Sequence, residues 1–550
     1  MVVIILSQNA LIFFDRRGAS IQLEFSPLLS RRPLTIRSKH LCDSLTLPCN
    51  KENFLFNSAV TEFQGTKVDK VLRLLSVYLV KSSFVPDEYW QSLEVAHKLT
   101  FGFGHLTWEW RKQIRSYIYP FMIHVLFSAY PGSVETIILL PKIFQAVLST
   151  IGDFFTYKLA CKLFGSRCGL WTLFNLLTSW FLFYCSSRTL TNMAETSITA
   201  CGLFFYPWKR EKHRGLTCSY LWFAGASSLI RPTAFVLWLP LYLYHLWREK
   251  HYFSVIKNTF LIGCVILATL MSCDSYFYGH WVFTPYNFFL FNWRSDIGAF
   301  YGQHNFLWYF TTGLPVVLGV HFIPFLMGLS LPYLRHQLFL IFWVIIIFSF
   351  LSHKEFRFLL PVLPLALIIC SAVMNEISSN KMAIFKWKIS KVINICMVYV
   401  ILSINIPLSI YMGLFHQSGV TDATLHLSHI IGKDSKVLFL MPCHSTPYYS
   451  YIHQNISMKF LTCEPNFDKI YNYTDEADSF FENPKLWLAQ NYEQIGSQYL
   501  PSHIVMFDTL YVQIKDFLKQ YNYDLCYKTF HSHFPETKTG YFVLIYCKYK

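Results

Sequence analysis

Apolar runs bounded by charged residues recur along most of the chain. Windows at 68–84, 136–161, 169–186, 190–207, 217–230, 233–247, 255–273, 307–329, 337–351, 358–374 and 391–413 each read as a bilayer-crossing helix. A span takes about 20 residues, and several of these windows are shorter. The Arg231-Pro232 pair reads equally as a kink inside one long helix. The pattern predicts a polytopic α-helical membrane protein with about eleven transmembrane helices.

Basic residues fall at alternate connections: Lys162 with Arg167, the run KREKHR (209–214), Arg248 with Lys250 and Lys257, Arg335, and Lys381 through Lys391. Placing them all in the cytoplasm satisfies the positive-inside rule at once. Loops 84–135, 187–189, 231–232, 274–306 and 352–357, and the tail after 414, then face the lumen. The apolar stretch IYPFMIHVLFSAYP (118–131) would invert every later loop if it crossed. It is expected to lie flat at the interface as an amphipathic helix.

Beyond 414 the pattern changes to short alternating segments such as KVLFLMPC, HIVMFD and YFVLIY. These predict a C-terminal α+β domain over 414–550, lumenal by the same topology. Asn455-Ile-Ser and Asn472-Tyr-Thr are glycosylation acceptors, usable only on the lumenal side. An oxidising lumen allows Cys443 and Cys463 to form a disulfide, while Cys526 and Cys547 leave three pairings open. At the other end, MVVIILSQNALIFF lacks a basic n-region and is too short to span. Residues 1–65 show no clear periodicity and are expected to be a disordered cytoplasmic extension, ahead of a membrane domain over 66–413.

Composition agrees with the membrane reading. The 550 residues are 53% hydrophobic and 14% charged, where a soluble chain carries roughly 25% charged residues; mean hydropathy is +0.33. The net charge of +15 sits in short loop clusters, which excludes a nucleic-acid footprint. The 15 cysteines include no CxxC pair, so neither a zinc site nor a redox motif is indicated. His531 and His533 lack a third ligand at workable spacing and read as solvated tail residues.

Polar motifs converge on the lumenal side. Pro86-Asp87-Glu88 follows the first span, Arg188 and Arg231-Pro232-Thr233 lie at later corners, and Ser352-His353-Lys354-Glu355-Phe356-Arg357-Phe358 joins two spans. Ionisable groups at membrane depth are costly unless paired or functional. A carboxylate here can act as general base on a sugar hydroxyl, and a knot of cations can steady a departing phosphate. The bland alternatives are a juxtamembrane ion-pair cluster for HKEFRF, helix capping for Asp87 and Glu88, and interfacial anchoring for Trp108, Trp110, Tyr117 and Tyr119. A transporter would show repeated halves, and no internal repeat is visible.

Taken in order, PDEYWQSLEVAH, LTWEWRKQIRSYIYP, SSRTLTNMAET, IRPTA and LSHKEFRFLLPVLPL resemble the dolichol-phosphate-mannose-dependent mannosyltransferases of glycosyltransferase family twenty-two. The resemblance covers roughly residues 66 to 550. It implies the GT-C membrane fold and an enzyme of the endoplasmic reticulum membrane with a lumenal active site. Within the family, MPCHSTPYYSYIH (441–453) and DEADSFFENPKLWL (475–488) are similar to the branch acting on glycosylphosphatidylinositol (GPI) precursors. That branch implies inverting transfer of mannose from dolichyl phosphate mannose to the 2-hydroxyl of the second precursor mannose, adding the third. An N-glycan mannosyltransferase with the same donor is the alternative. The implied roles are Asp87 as base with Glu88 in support; His353, Lys354, Arg357 and Arg231 at the donor phosphate; and Trp108, Glu109 and Tyr119 at the acceptor. The scheme requires neither metal nor cofactor, the implied partners are the two lipid-linked substrates, and it names no protein partner.

Overall fold

A computed structural model describes residues 68–208, 218–294, 297–379, 387–467, 470–493 and 500–548, together with three strands near the N-terminus. Those strands, β1 (Val3–Ser7), β2 (Ala10–Phe14) and β3 (Ile21–Phe25), pair antiparallel in chain order. They occupy the extension expected to lack order. The sequences of β1 and β2, VIILS and ALIFF, are rich in the β-branched and aromatic residues that favour strands. The rest of that extension, the basic run 209–214 and residues 380–386 lie outside the described residues.

The described residues from 68 onward form the larger unit. Among the described residues, six helices are long and apolar enough to cross a membrane: Val134–Phe164, Tyr252–Tyr278, Tyr309–Gly328, Pro332–Ser349, Phe356–Ser378 and Val392–Ile430. Other expected spans form shorter helices. The window 169–186 breaks at Ser179, whose extended ψ of 112° separates Ser166–Thr178 from Trp180–Cys185. At 217–247 two helices form, Tyr220–Ile230 and Ala234–Arg248. Arg231 between them is extended (φ −142°, ψ 118°), as the residue before a proline prefers, so the corner is a turn and not a kink. Ile118–Ala129 is a helix of 12 residues, too short to cross. It buries Ile123 and Phe127 and exposes Phe121, Met122 and Val125.

Phe356–Ser378 is the central helix. Leu359 to Met374 are buried on every side, which suits a helix apolar all round. Helices Val134–Phe164 and Thr191–Phe205 pass close at Gly152, where a Cβ would stand 2.8 Å from the Ser197 Cα. The helical residues 68–79 bury Asp69, Arg73, Ser76 and Val77 along one face. Arg73 donates from Nε to Asp153 at 2.7 Å and from Nη2 to the Leu176 carbonyl at 3.0 Å. These bonds satisfy a buried guanidinium and lock three helices together.

The C-terminal domain is a mixed five-stranded sheet in the order β5-β4-β6-β8-β7: β4 is Lys436–Leu440, β5 Ser457–Phe460, β6 His503–Phe507, β7 Tyr523–Phe530 and β8 Phe542–Lys548. β4 runs parallel to β5 and β6, while β8 is antiparallel to β6 and β7. Strand alternation sends Val437, Phe439, Val505 and Phe507 toward helix Gly419–Ile430 and the loop after the first helix. Leu438, Leu440, Ile504 and Met506 pack instead on helix Tyr511–Gln520. Disulfides join Cys443 to Cys463 and Cys526 to Cys547, which resolves the pairing left open by the sequence. Asn455 and Asn472 are both exposed. His531 is buried against Phe507, contrary to the solvated expectation, because its strand end folds back onto the domain.

Candidate active site

Pro86 starts a turn whose carbonyl accepts from the Tyr89 and Trp90 amides, both at 3.0 Å. The turn feeds a helical stretch through Glu94–Phe101 that ends at Gly102, whose left-handed φ of 79° suits glycine. Asp87 therefore sits at a helix start, as a capping reading also expects, but its carboxylate has a distant partner. Arg357 donates from Nη1 to Asp87 Oδ2. The same guanidinium gives Nε and Nη2 to the two oxygens of Glu355, each at 2.6 Å, a bidentate grip that fixes its plane. His353 Nε2 lies 2.9 Å from Glu355 Oε1. Burial pushes the Glu355 carboxyl up, but Arg357 and His353 outweigh it and hold it down at about 2. The hydrogen bond to Glu355 in turn pushes the His353 imidazole up, against the effect of its partial burial.

Arg231 reaches back from its corner to Glu195 at 3.2 Å and Asn192 Oδ1 at 3.0 Å. It and Arg357 both rest against the Phe358 ring, 5.6 and 5.5 Å from its centroid. Two cations thus share one aromatic side chain, each neutralised by a carboxylate from another part of the chain.

Glu109 accepts from Arg115 Nε at 3.0 Å and from Gln91 at 3.2 Å. Burial pushes its carboxyl up; Arg115 pulls the other way, and the Asp87 charge adds to the rise. Arg115, Arg231, Gln91, Thr191 and Tyr119 line one narrow cleft, whose remaining wall includes Ile230, Leu270 and Phe288. Its lining mixes charged, polar and apolar side chains.

Other expected residues have partners of their own. Glu88 turns away from Asp87 into a buried ion pair with Arg188 at 2.8 Å, and it also accepts from the Phe84 amide at 3.0 Å. Its geometry holds the loop against the corner after Trp180–Cys185. Lys354 is buried and spends Nζ on the carbonyls of His304, at 3.0 Å, and Leu351. It braces a loop and does not join the cation knot. The Tyr119 hydroxyl donates to Gln145 at 2.8 Å, and Trp108 donates to the Tyr301 hydroxyl at 2.9 Å beside Phe291 and Phe467.

Sequence reading missed Arg115, Gln91, Glu195 and Asp274. Asp274 accepts from Ser116 Oγ at 2.9 Å, the Tyr117 amide at 2.8 Å and Thr284 Oγ1 at 2.6 Å, so it pins the backbone beside Arg115. A lone acid closing the apolar 255–273 window was a signal for it. Among the described residues, the one grouping of His, Cys and acids at metal-ligand spacing is Cys443, His444 and Cys463. The disulfide consumes both of its thiols.

The C-terminal domain closes over the loop and helix that follow Pro86. Trp90 Nε1 donates to the Thr446 carbonyl at 3.0 Å and its ring meets His444, Tyr448 and Phe460. Glu94 accepts from the Tyr448 amide at 2.8 Å and Ser450 Oγ at 2.6 Å. His97 Nε2 lies 2.9 Å from His453 Nδ1.

Comparison with known proteins fits this arrangement. Residues 68–453 match the Alg9-like mannosyltransferase family. The chain is 39% identical over 487 residues to GPI alpha-1,2-mannosyltransferase 3 of Bos taurus, covering 86% of this chain and 87% of that protein. It is 41% identical over 473 residues to GPI mannosyltransferase 3 of Drosophila melanogaster, covering 82% and 81%. The fold is similar to that of ArnT from Cupriavidus metallidurans, solved with undecaprenyl phosphate, with a TM-score of 0.58 at 10% identity over 88% of this chain and 98% of that one. The chain is a polytopic membrane protein of GT-C-like fold and belongs to the Alg9-like mannosyltransferase family.

Proposed function

We propose that this protein transfers mannose from dolichyl phosphate mannose to the 2-hydroxyl of the second mannose of a GPI precursor, adding the third mannose with inversion. The similarity to GPI α1,2-mannosyltransferases carries the reading: it covers 86% of the chain, more than the 68–453 family match, and so runs on into the C-terminal domain. Asp87 is the base. As the acceptor oxygen forms its bond to the donor C1, the C1–phosphate oxygen bond breaks and the hydroxyl proton passes to the Asp87 carboxylate. Dolichyl phosphate leaves with the electron pair, its charge met by Arg357 and Arg231. Arg357 is neutralised by Asp87 and Glu355; a bound donor phosphate would supply a further anion and free Asp87 to accept a proton. Gln91 and Tyr119, with Glu109 bonded to Gln91, are assigned to the acceptor sugars, and Trp108 supports them from behind.

The setting is the endoplasmic reticulum membrane, with about eleven crossings counting shorter and tilted helices. The cleft, the C-terminal domain and both sequons lie on the lumenal side. Cells lacking the protein test the reading: GPI precursors should stall at two mannoses and recover on re-expression. Normal GPI precursors with truncated dolichol oligosaccharides would overturn it in favour of the N-glycan branch.

A further inference from the structure

Because β4, β5 and β6 are parallel, the loops that follow them leave the same end of the C-terminal sheet. Two of these loops touch the catalytic region, Thr446 through Trp90 and Cys463 through the Tyr301 hydroxyl at 3.2 Å. Pairings of Phe507 with Val543 and of Phe530 with Phe542 put the turn between β7 and β8 at that end as well. The turn is fastened to the end of the last membrane helix, Trp387–Leu414. The Ser418 amide donates to the His531 carbonyl at 3.3 Å, and His533 Nδ1 lies 3.1 Å from the Tyr411 hydroxyl.

Up to this point the helix offers apolar side chains outward, with Ile410 and Phe415 exposed. Phe534, next in the chain to the His533 that meets Tyr411, is 74% exposed. One exposed ring is ordinary on a soluble surface. Here the ring stands on a turn bonded to the end of a spanning helix, and that level is where aromatic side chains gain from the headgroup boundary. The opposite end of the sheet, at Lys433 and Asp434, is exposed and charged.

We propose that the β7–β8 turn seats on the phospholipid surface around the last membrane helix, with Phe534 at the boundary between headgroups and acyl chains. The C-terminal domain is then held at two places, by the catalytic loop and by lipid, and this sets the height of the 441–464 loops above the cleft. The inference stands independently of the reaction.

The full chain, carrying photoreactive p-benzoylphenylalanine at position 534 or at position 433, is placed in phosphatidylcholine nanodiscs and illuminated. Lipid adducts at 534 should exceed those at 433 by about fivefold or more, as an interfacial ring requires. Equal yields at the two positions, or cross-links from 534 to protein alone, would overturn the proposal.

Discussion

Arg357 and Asp87 are separated by 270 positions in the chain, yet they share an ion pair in which Glu355 completes the hold on the guanidinium. The pair brings the two halves of the proposed chemistry, proton acceptor and phosphate ligand, within reach of one sugar.

Asp87→Asn should remove the base and leave the loop folded. Transfer with both lipid substrates is expected to fall by roughly 10²–10⁴-fold, the usual worth of a positioned general base. Protein level and membrane insertion should be unchanged. Turnover near that of the parent would remove Asp87 from the reaction.

Arg357→Lys keeps the charge but loses the planar fork that grips Glu355 on two sides. Its main effect should be a rise in KM for dolichyl phosphate mannose, with the acceptor KM nearly constant. Lys354→Met, at a side chain bonded to two carbonyls, should instead lower the unfolding midpoint. If Lys354→Met raises the donor KM and leaves the midpoint alone, the bracing role assigned to it is wrong.

Glu88→Gln should behave quite differently from Asp87→Asn. It leaves Arg188 buried without its counter-charge, which costs about 3–5 kcal/mol. The expected result is less folded protein and a lower thermal midpoint in detergent, with the surviving fraction retaining much of its turnover. Normal stability combined with lost transfer would move Glu88 into the chemistry.

His353 supplies a pH dependence whose sign follows from its raised pKa. In the unfolded chain it titrates near 6.5, so its bond to Glu355 contributes fully below that value. The contribution disappears as pH rises through the higher folded value. Unfolding midpoints should therefore decline from pH 6 to pH 9, by an amount worth less than about 1 kcal/mol for so accessible a pair. His353→Gln should flatten that decline, and an unaltered slope would count against the assignment.

Orientation is open to a direct check at Asn455 and Asn472, both on exposed loops. Each Asn→Gln change should remove one glycosidase-sensitive mass increment. Absence of any increment in the parent protein would argue against a lumenal tail.

Much of this architecture was legible in the chain because hydropathy and charge act locally. Asp87, Arg357 and Arg231 stood out as charges beside apolar windows, and alternation in 436–440 or 503–507 exposed the sheet. What stayed hidden depended on which side chains meet across long separations. Glu88 and Asp87 are adjacent in sequence but face different arginines, and only the turn after Pro86 separates them. Lys354 sits in the charged HKEFRF motif, yet backbone carbonyls claim it. Helix lengths were overestimated where one apolar window hides a break, as at Ser179. Arg115 was overlooked because its aromatic-rich surroundings read as interfacial anchoring.

The place of β8 in its sheet has a consequence for inheritance. It lies between β6 and β7, so a chain cut anywhere ahead of Phe542 leaves both neighbours without their shared partner. The domain that covers Trp90 and Glu94 would then fail to close, although every membrane helix had been made. A stop codon that late in the message should behave as a null allele.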